Sequence, residues 1–151
     1  FSLNYKGFDI STNMYAALGQ QIIRNFERQQ PYANQMSYVY GRWSGENTST
    51  EHPRVTTGAT QNNQFSDFFV EDGSFVRLQN LQVGYTLSDT FLEDYKINEL
   101  RFYVSASNLV TLTKYTGYDP TGSTGQPIGG GIDYGFYPTP KTYLFGLQLK
   151  F

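Results

Sequence analysis

The segment Lys141-Thr-Tyr-Leu-Phe-Gly-Leu-Gln-Leu-Lys-Phe151 has the clearest periodicity in the sequence. Its alternate positions form an apolar row: Tyr143, Phe145, Leu147, Leu149 and Phe151. The intervening positions are mostly polar or small, and successive side chains of a strand point to opposite faces. The segment is therefore predicted to be a strand with one apolar and one polar face, as a strand between lipid and a wet barrel lumen requires.

Similar alternation elsewhere predicts about five antiparallel strands. Between Phe75 and Leu87 the apolar positions change parity, and a β-bulge near Gln79-Asn80 would reconcile the two halves of that strand. The predicted strands cover about residues 1–5, 8–20, 73–87, 99–113 and 141–151. We interpret them as the C-terminal strands of a large transmembrane β-barrel.

Composition supports an all-β fold and excludes several classes of protein. Tyr (13), Phe (12) and Gly (15) are abundant in the 151 residues, as expected for strands and turns. The formal net charge is −2 and Lys and Arg form no run, so nucleic acid is not expected as a partner. No apolar run approaches the roughly 20 residues of a membrane-spanning helix.

The sequence offers no catalytic chemistry. It contains no cysteine, which excludes disulfides, zinc-thiolate sites and thiol nucleophiles. The only histidine, His52, has no nucleophile motif near it, and we expect it to be an exposed loop residue. Asp119, in Tyr-Asp-Pro, is interpreted as a turn former. We predict no enzyme activity, no metal and no cofactor.

The connections between the predicted strands alternate in length. The turn at Lys6-Gly7 and the link at about 88–99 are short, whereas the connections at about 21–72 and 114–140 are long. Outer-membrane barrels have short periplasmic turns and long extracellular loops. We therefore expect two long extracellular loops and a C-terminus on the periplasmic side. Periodicity alone leaves a soluble glycan-binding β-sandwich as an alternative.

Four ordered motifs carry a family resemblance. They are Phe69-Val-Glu-Asp-Gly-Ser-Phe-Val-Arg-Leu-Gln-Asn-Leu-Gln-Val-Gly-Tyr-Thr-Leu87, Leu100-Arg-Phe-Tyr-Val-Ser-Ala-Ser-Asn-Leu109, Lys114-Tyr-Thr-Gly-Tyr-Asp-Pro120 and Gly130-Gly-Ile-Asp-Tyr-Gly-Phe-Tyr-Pro138. Together with the last strand they resemble the C-terminal end of the SusC/RagA family of TonB-dependent outer-membrane transporters. The resemblance covers residues 54–151 well and residues 1–19 more loosely.

The resemblance implies a role in nutrient import. Such transporters are barrels of about 22 strands with a plugged lumen, which take up a glycan oligomer or peptide with a SusD-like surface lipoprotein and draw energy from TonB through the plug. Residues 1–151 contain neither plug nor N-terminal barrel, so we expect the remaining barrel to come from another chain or a missing segment. A non-transporting outer-membrane barrel is the second alternative.

Two groups of candidate site residues follow. The terminal apolar row resembles the signal read by the outer-membrane assembly machinery, and it is also expected to face membrane lipid or lipopolysaccharide. Loop side chains are candidates for contacts with substrate or lipoprotein, because Trp, Tyr and Arg anchor interfaces. They are Arg42, Trp43, Tyr115, Tyr118, Tyr134 and Tyr137. Packing of these loop rings against one another is the alternative for the second loop.

Overall fold

The computed structural model describes residues 1–26, 34–55, 61–87, 97–122, 128 and 130–151. These residues form eight strands: β1 (Ser2–Tyr5), β2 (Phe8–Ala17), β3 (Gln21–Arg24), β4 (Val70–Asp72), β5 (Phe75–Leu87), β6 (Glu99–Thr113), β7 (Ile132–Asp133) and β8 (Thr142–Lys150). Short 3₁₀ helices occupy Ser37–Gly41, Gln61–Asn63 and Asp67–Phe69. Among the residues described, no helix is long and apolar enough to cross a membrane.

The main sheet is antiparallel and five-stranded, with the order β1-β2-β5-β6-β8. Lys6 and Gly7 connect β1 to β2 with φ values of 46° and 84°. Two consecutive residues at positive φ make the tight hairpin turn whose twist matches that of the flanking strands. The predicted link at about 88–99 lies mostly outside the described residues.

The register of the main sheet places apolar side chains in rows across the strands. One such row is Phe8, Tyr85, Phe102 and Leu147. A second row, one pleat away, is Ile10, Val83, Val104 and Phe145. All members of the first row are exposed, with exposed fractions from 38% to 54%. The sheet therefore presents a continuous, uncovered apolar face.

A β-bulge keeps this face apolar along β5. The pairing of β5 with both β2 and β6 shifts between Leu78 and Asn80, which leaves Gln79 out of register. The β2 partners of Leu78 and Leu81 lie two residues apart, so these two leucines share a face despite their odd spacing. On β6 the irregularity coincides with Asn108, which has a positive φ of 54°. The predicted bulge is confirmed.

A smaller three-stranded sheet, with the order β4-β3-β7, was not predicted. It joins the two predicted loops, because β3 and β4 come from residues 21–72 and β7 comes from residues 114–140. The chain turns into this sheet after β2, which ends at Ala17 instead of residue 20. At Gly73 an added Cβ would lie 2.5 Å from the Ile22 side chain, so any larger residue there would force the buried Ile22 to move. Ile22, Phe69 and Phe75 are buried at this junction.

Candidate functional site

The polar face of the main sheet contains an ion pair that crosses β5. Arg101 donates from Nε and Nη2 to the two carboxylate oxygens of Asp9, over 2.9 and 2.5 Å. Gly84 lies beneath this pair, and an added Cβ there would collide with the Asp9 carboxylate and approach Arg101 Nη2 within 2.7 Å. The glycine therefore leaves the space in which β2 and β6 are joined by a bidentate pair.

A second glycine on this face accommodates an aromatic ring. Gly146 of β8 is the register partner of Tyr103 on β6, and the Tyr103 ring occupies the position of the missing Cβ. The Arg101 guanidinium lies 5.2 Å from the centroid of the same ring. Side chains of β6 therefore pack against one another and against β8 on the polar face of the main sheet, which we call the wall.

The second loop is fastened to this wall by a buried ion pair. Arg77 projects from β5 and donates from Nη2 to Asp119 Oδ1 over 2.5 Å. Arg77 Nε also donates to Thr111 Oγ1 of β6 over 2.9 Å. Arg77 is 7% exposed and Asp119 6%, so neither charge has water as its main partner. Asp119 is therefore an anchor of the loop as well as a turn residue.

The Asp119 carboxylate collects further hydrogen bonds. It accepts from the backbone N–H and the hydroxyl of Thr121, and from the backbone N–H of Thr139. Burial raises the pKa of the Asp119 carboxyl, but the hydrogen bonds from Thr139, Thr121 and Arg77 outweigh burial and hold this pKa well below its ordinary value. One carboxylate thus fixes two separate parts of the second loop.

A second buried carboxylate, Asp133, organises the interior of the same loop. Asp133 is 2% exposed and accepts from the Tyr115 hydroxyl over 2.6 Å and from the backbone N–H of Gly135 over 2.8 Å. Burial and the hydrogen bond to Asp133 raise the pKa of Tyr115. Tyr115, 6% exposed, therefore does not present its ring to a ligand or partner, and its candidate role is replaced by packing within the loop.

Several polar contacts join the two loops. Glu71, on the first loop, pairs with Arg24 over 2.7 Å and accepts from the Thr116 N–H of the second loop over 3.0 Å. Backbone hydrogen bonds run from Ile23 N to Gly131 O and from Asn25 N to Asp133 O. The bases of the loops are therefore held together by backbone pairing and by charge-assisted hydrogen bonds.

The remaining predicted contact residues of the second loop lie on its surface. Tyr118, Tyr134 and Tyr137 are 74%, 53% and 92% exposed. Tyr134 makes an edge contact with Phe136, at 6.1 Å between ring centroids. These three rings form an exposed aromatic set above the buried anchors.

Trp43 lies at a cleft of about 540 Å³ in the first loop. Arg42, its neighbour in sequence, is exposed and donates from Nη1 to the Val39 carbonyl over 3.0 Å. The cleft is lined by Trp43, Ser49, Thr50, Glu51, His52, Pro53, Arg54, Gln61, Asn62, Ser66 and Phe68. It combines aromatic surface with side chains of both charges, as ligand sites commonly do.

His52 is not the exposed loop residue that the sequence suggested. It is half-buried, and its ring lies 5.0 Å from the Tyr38 ring and 6.5 Å from the Phe68 ring. This packing was not predictable, because Phe68 is sixteen positions away and no periodicity relates it to His52. His52 belongs to the wall of the cleft.

The terminal row lies on the apolar face of the sheet. Tyr143, Phe145, Leu147 and Leu149 of β8, with Phe151 beyond it, are exposed by between 44% and 80%. Their proposed part in assembly remains a prediction. Within the described ranges, no group of three or more His, Cys, Asp or Glu residues could hold a metal ion.

Arg77, Asp119 and Asp133 hold the second loop in place, and this role was not predicted from the sequence. Arg77 stands on the polar face of a strand, where any hydrophilic residue suits the alternation. Asp119, in Tyr-Asp-Pro, was predicted only to form a turn. The one usable hint was the charge of Arg77 at a position expected to face the barrel interior, since such a charge needs a partner.

No family model matches the chain. It is 36% identical over 99% of its length to TonB-dependent receptor P3 of Formosa agariphila, of which it covers 15%. It is 30% identical over 99% of its length to TonB-dependent receptor SusC of Bacteroides thetaiotaomicron, of which it covers 14%. The chain thus spans about one seventh of the length of these curated relatives.

Solved structures agree with these relatives. The chain is similar to the RagAB peptide transporter, with a TM-score of 0.76 and 28% identity over 97% of this chain and 16% of that one. Its similarity to the RagAB peptide importer in the closed-closed state has a TM-score of 0.75 and 30% identity, over 96% of this chain and 16% of that one.

Proposed function

Because the chain belongs to the SusC/RagA type of TonB-dependent receptor, of which it forms a segment, we propose that the whole protein imports a nutrient across the outer membrane. Receptors of this type are outer-membrane proteins and not enzymes. A soluble β-sandwich is disfavoured, because the curated relatives are TonB-dependent receptors and the main sheet has an uncovered apolar face.

One observation supports this function above the others: one face of the main sheet carries a continuous series of apolar side chains across its strands. The row from Phe8 to Leu147 crosses four strands without a polar interruption. The opposite face has the Asp9–Arg101 pair at the same level. A wall with lipid on one side and a polar, plug-filled lumen on the other requires this division.

We assign to this chain a part of the barrel wall. Among the described residues, β1 pairs only with β2, and β8 pairs only with β6, so each has an unpaired edge. In hydrocarbon each unsatisfied backbone group costs several kcal/mol, so the edges need further strands. The rest of the barrel, in total about 22 strands, would supply them from another segment or chain.

We propose that the two loops face the outside of the cell and that Lys150 and Phe151 face the periplasm. The bases of both loops lie at one end of the sheet, where Ala17 aligns with Phe75 and Phe75 with Thr113. The tight turn at Lys6-Gly7 and the end of β8 lie at the opposite end. Short turns of outer-membrane barrels are periplasmic.

The proposed partners are a SusD-like surface lipoprotein, and TonB acting through the plug of the whole protein. RagAB, which the chain resembles, is a peptide importer. The exposed rings of Tyr118, Tyr134 and Tyr137, together with Arg42, are the side chains that we assign to contacts with the lipoprotein or the transported oligomer. The transported molecule would be a glycan oligomer or a peptide.

The terminal row, Tyr143 to Phe151, would serve in assembly and would contact membrane lipid or lipopolysaccharide. Its five members share a face and are exposed. We expect Phe151→Ala to lower the amount of folded receptor in the outer membrane, and Phe65→Ala, at an exposed loop ring, to leave it unchanged. Equal amounts of folded receptor for the two variants would argue against the assembly role.

Transport itself is tested with the whole receptor in its host. Deletion of its gene should abolish uptake of one class of labelled oligomer, glycan or peptide, and the full-length gene should restore uptake. Loss of TonB should abolish the restored uptake. Undiminished uptake of all tested oligomers in the deletion strain would favour a non-transporting outer-membrane barrel.

A further inference from the structure

The terminal row is continued by a lysine at the end nearest the loops. Lys141 lies one residue before β8 and two positions before Tyr143, so alternation places both residues on the apolar face of the sheet. We propose that Lys141 and the Tyr143 hydroxyl bind a phosphate group of lipopolysaccharide, the phosphorylated glycolipid of the outer leaflet. This inference rests on the proposed function, which supplies the orientation of the sheet in the membrane.

The length of the terminal row places Lys141 at the border of the membrane. The apolar band of an outer-membrane barrel is about 25 Å tall, and its strands are tilted by about 40°. Residues 141 and 151 are ten steps apart. At about 3.3 Å per step along a tilted strand, these steps span about 25 Å of membrane. With Phe151 at the periplasmic border, Lys141 therefore lies at the level of the outer headgroups.

The side chains of the row agree with this placement. Tyr143 is the only member of the terminal row with a hydroxyl, since the others are Phe and Leu. Tyr suits the membrane border, where one end of the ring is apolar and the other is wet. The Tyr143 side chain is 58% exposed, and its hydroxyl can donate to a phosphate oxygen beside Lys141. Phe145 and Leu147, which follow in the row, offer exposed apolar surface to acyl chains.

The backbone that leads into Lys141 is held by two hydrogen bonds. The Thr139 N–H donates to Oδ2 of the buried Asp119 over 3.0 Å. The Asn108 side-chain amide donates to the Pro140 carbonyl over 3.1 Å. The ring of Pro140 also fixes its own φ. Lys141 is therefore held in one place at the rim of the sheet, which reduces the entropic cost of binding a lipid headgroup.

The charge of Lys141 is not compensated within the protein. Among the residues that the structure describes, Lys141 forms no ion pair. Lys114, at the other end of the second loop, differs in this respect. Hydrogen bonds from Ser74 and the charge of Lys114 lower the pKa of Asp72, so Lys114 already has a carboxylate near it. A phosphate from outside the protein is the fitting partner for Lys141.

The position of Lys141 selects among the possible sources of phosphate. Free phosphate would leave the apolar row next to Lys141 uncovered, whereas the acyl chains of a lipid would cover it. Lipopolysaccharide forms most of the outer leaflet of the outer membrane, and phospholipid faces the periplasm. Since Lys141 lies on the extracellular side in the proposed orientation, the lipid that reaches it is lipopolysaccharide.

The test uses the whole receptor in a neutral detergent, with lipid A, the phosphorylated anchor of lipopolysaccharide, as the probe. Native mass spectrometry measures the binding of lipid A, dephosphorylated lipid A and phosphatidylglycerol. The variants are Lys141→Gln, Lys141→Arg and Tyr143→Phe. Lys114→Gln is the matched control, because it removes an exposed lysine at the other end of the same loop. The heat-dependent gel mobility of each variant reports whether its barrel is folded.

We expect lipid A to bind the wild type, with an affinity reduced about fivefold in Lys141→Gln, the contribution of one lysine near a membrane surface. Lys141→Arg should keep the affinity because it keeps the charge. Tyr143→Phe should lower the affinity, and Lys114→Gln should leave it unchanged.

Four outcomes would overturn the inference. Dephosphorylated lipid A could bind as tightly as lipid A, or phosphatidylglycerol could bind more tightly than lipid A. Lys141→Gln could bind lipid A as tightly as the wild type, or Lys114→Gln could lose as much affinity as Lys141→Gln.

Uptake measured with the same variants separates this inference from the transport proposal. Lys141→Gln should import the labelled oligomer at the wild-type rate, because the lysine lies on the apolar face of the wall. A receptor that imports its oligomer but binds lipid A independently of Lys141 would overturn the lipid site and leave transport intact. A receptor that binds lipid A through Lys141, in a host whose uptake does not need the receptor, would do the reverse.

Discussion

Arg77 and Asp119 form an ion pair, with 2.5 Å between Nη2 and Oδ1, that lies almost wholly out of solvent between strand β5 and the second loop. The two side chains are 9% and 5% exposed. Removal of one partner of a buried pair leaves the other charge without compensation. The contact is therefore the most sensitive point in the attachment of the loop to the wall.

We predict that Asp119→Asn releases the second loop from the wall. The free energy of loop attachment should fall by about 3 kcal/mol. This value is near the low end for a broken buried ion pair, because the amide oxygen of Asn still accepts hydrogen bonds. Residues 115–140 contain no Lys or Arg, so trypsin cleavage of the purified receptor after Lys114 and after Lys141, at the two ends of the loop, should accelerate roughly a hundredfold. Asp72→Asn is the control, since that carboxylate is exposed and accepts a hydrogen bond from the Ser74 N–H. Equal cleavage rates for the two variants would contradict this prediction.

The contribution of Asp119 should depend on pH in a defined direction. Burial raises the pKa of its carboxyl, but hydrogen bonds to Thr139, Thr121 and Arg77 lower it further, so the pKa with the loop attached is below that of the free loop. Such a carboxyl stabilises the attached loop fully at pH values above the pKa that it has in the free loop, about 3.9 for Asp. This stabilisation is lost as the pH falls towards the lower pKa that the carboxyl has in the attached loop.

The difference in loop-opening free energy between the wild type and Asp119→Asn should thus be constant from about pH 5 to pH 8 and should narrow below about pH 4. It can be measured by native-state cleavage, with trypsin at neutral pH and pepsin in acid. A difference that instead narrows between pH 8 and pH 6 would mean that another group controls the loop.

We predict that Gly84→Ala weakens the barrel wall. The added methyl group would collide with the Asp9 carboxylate and lie 2.7 Å from Arg101 Nη2, so the bidentate pair would have to open. The colliding atoms are the ends of flexible, part-exposed side chains, so the loss should lie near the low end of the about 1–3 kcal/mol that overpacking costs in a core. The temperature of the gel-mobility transition should fall for Gly84→Ala and remain unchanged for Gly45→Ala, where an added Cβ meets nothing within 4 Å.

The two faces of β8 should differ in their tolerance of charge. Leu147→Arg puts a guanidinium on the apolar face, at a cost of about 2–4 kcal/mol near the membrane midplane. Leu144→Arg makes the same change three positions away on the opposite face of the same strand. Folded receptor in outer-membrane fractions should decrease for Leu147→Arg only. A comparable decrease for both variants would contradict the assignment of the lipid face.

Alternation was sufficient to predict the main sheet. The strand from Glu99 to Thr113 has the predicted bounds, and the parity change in β5 located the bulge at Gln79. With the proposed lipid face, the strands must alternate along their whole length, because a slip of one position would expose Gln148 and Lys150 to lipid. This requirement for alternation acts on neighbouring residues, so it can be recognised directly in the sequence.

The loop scaffold was not predictable by the same reasoning. β7 consists of Ile132 and Asp133 alone, which is too short to show any period. Burial of Tyr115 depends on Asp133, eighteen positions away, and burial of Asp119 depends on Arg77, forty-two positions away. These partners are set by tertiary contacts, which composition and local spacing do not encode.

The parallel pairing of β7 with β3 has a consequence for engineering and for divergence among such receptors. The first loop shares backbone hydrogen bonds and the Glu71–Thr116 contact with the second. A graft that replaces the second loop alone would leave Ile23 N–H and Asn25 N–H without their partners, and would leave Glu71 paired with Arg24 but without Thr116. Chimeras that exchange both loops together should tolerate the transfer better. We therefore expect the two loops to be exchanged together among such receptors.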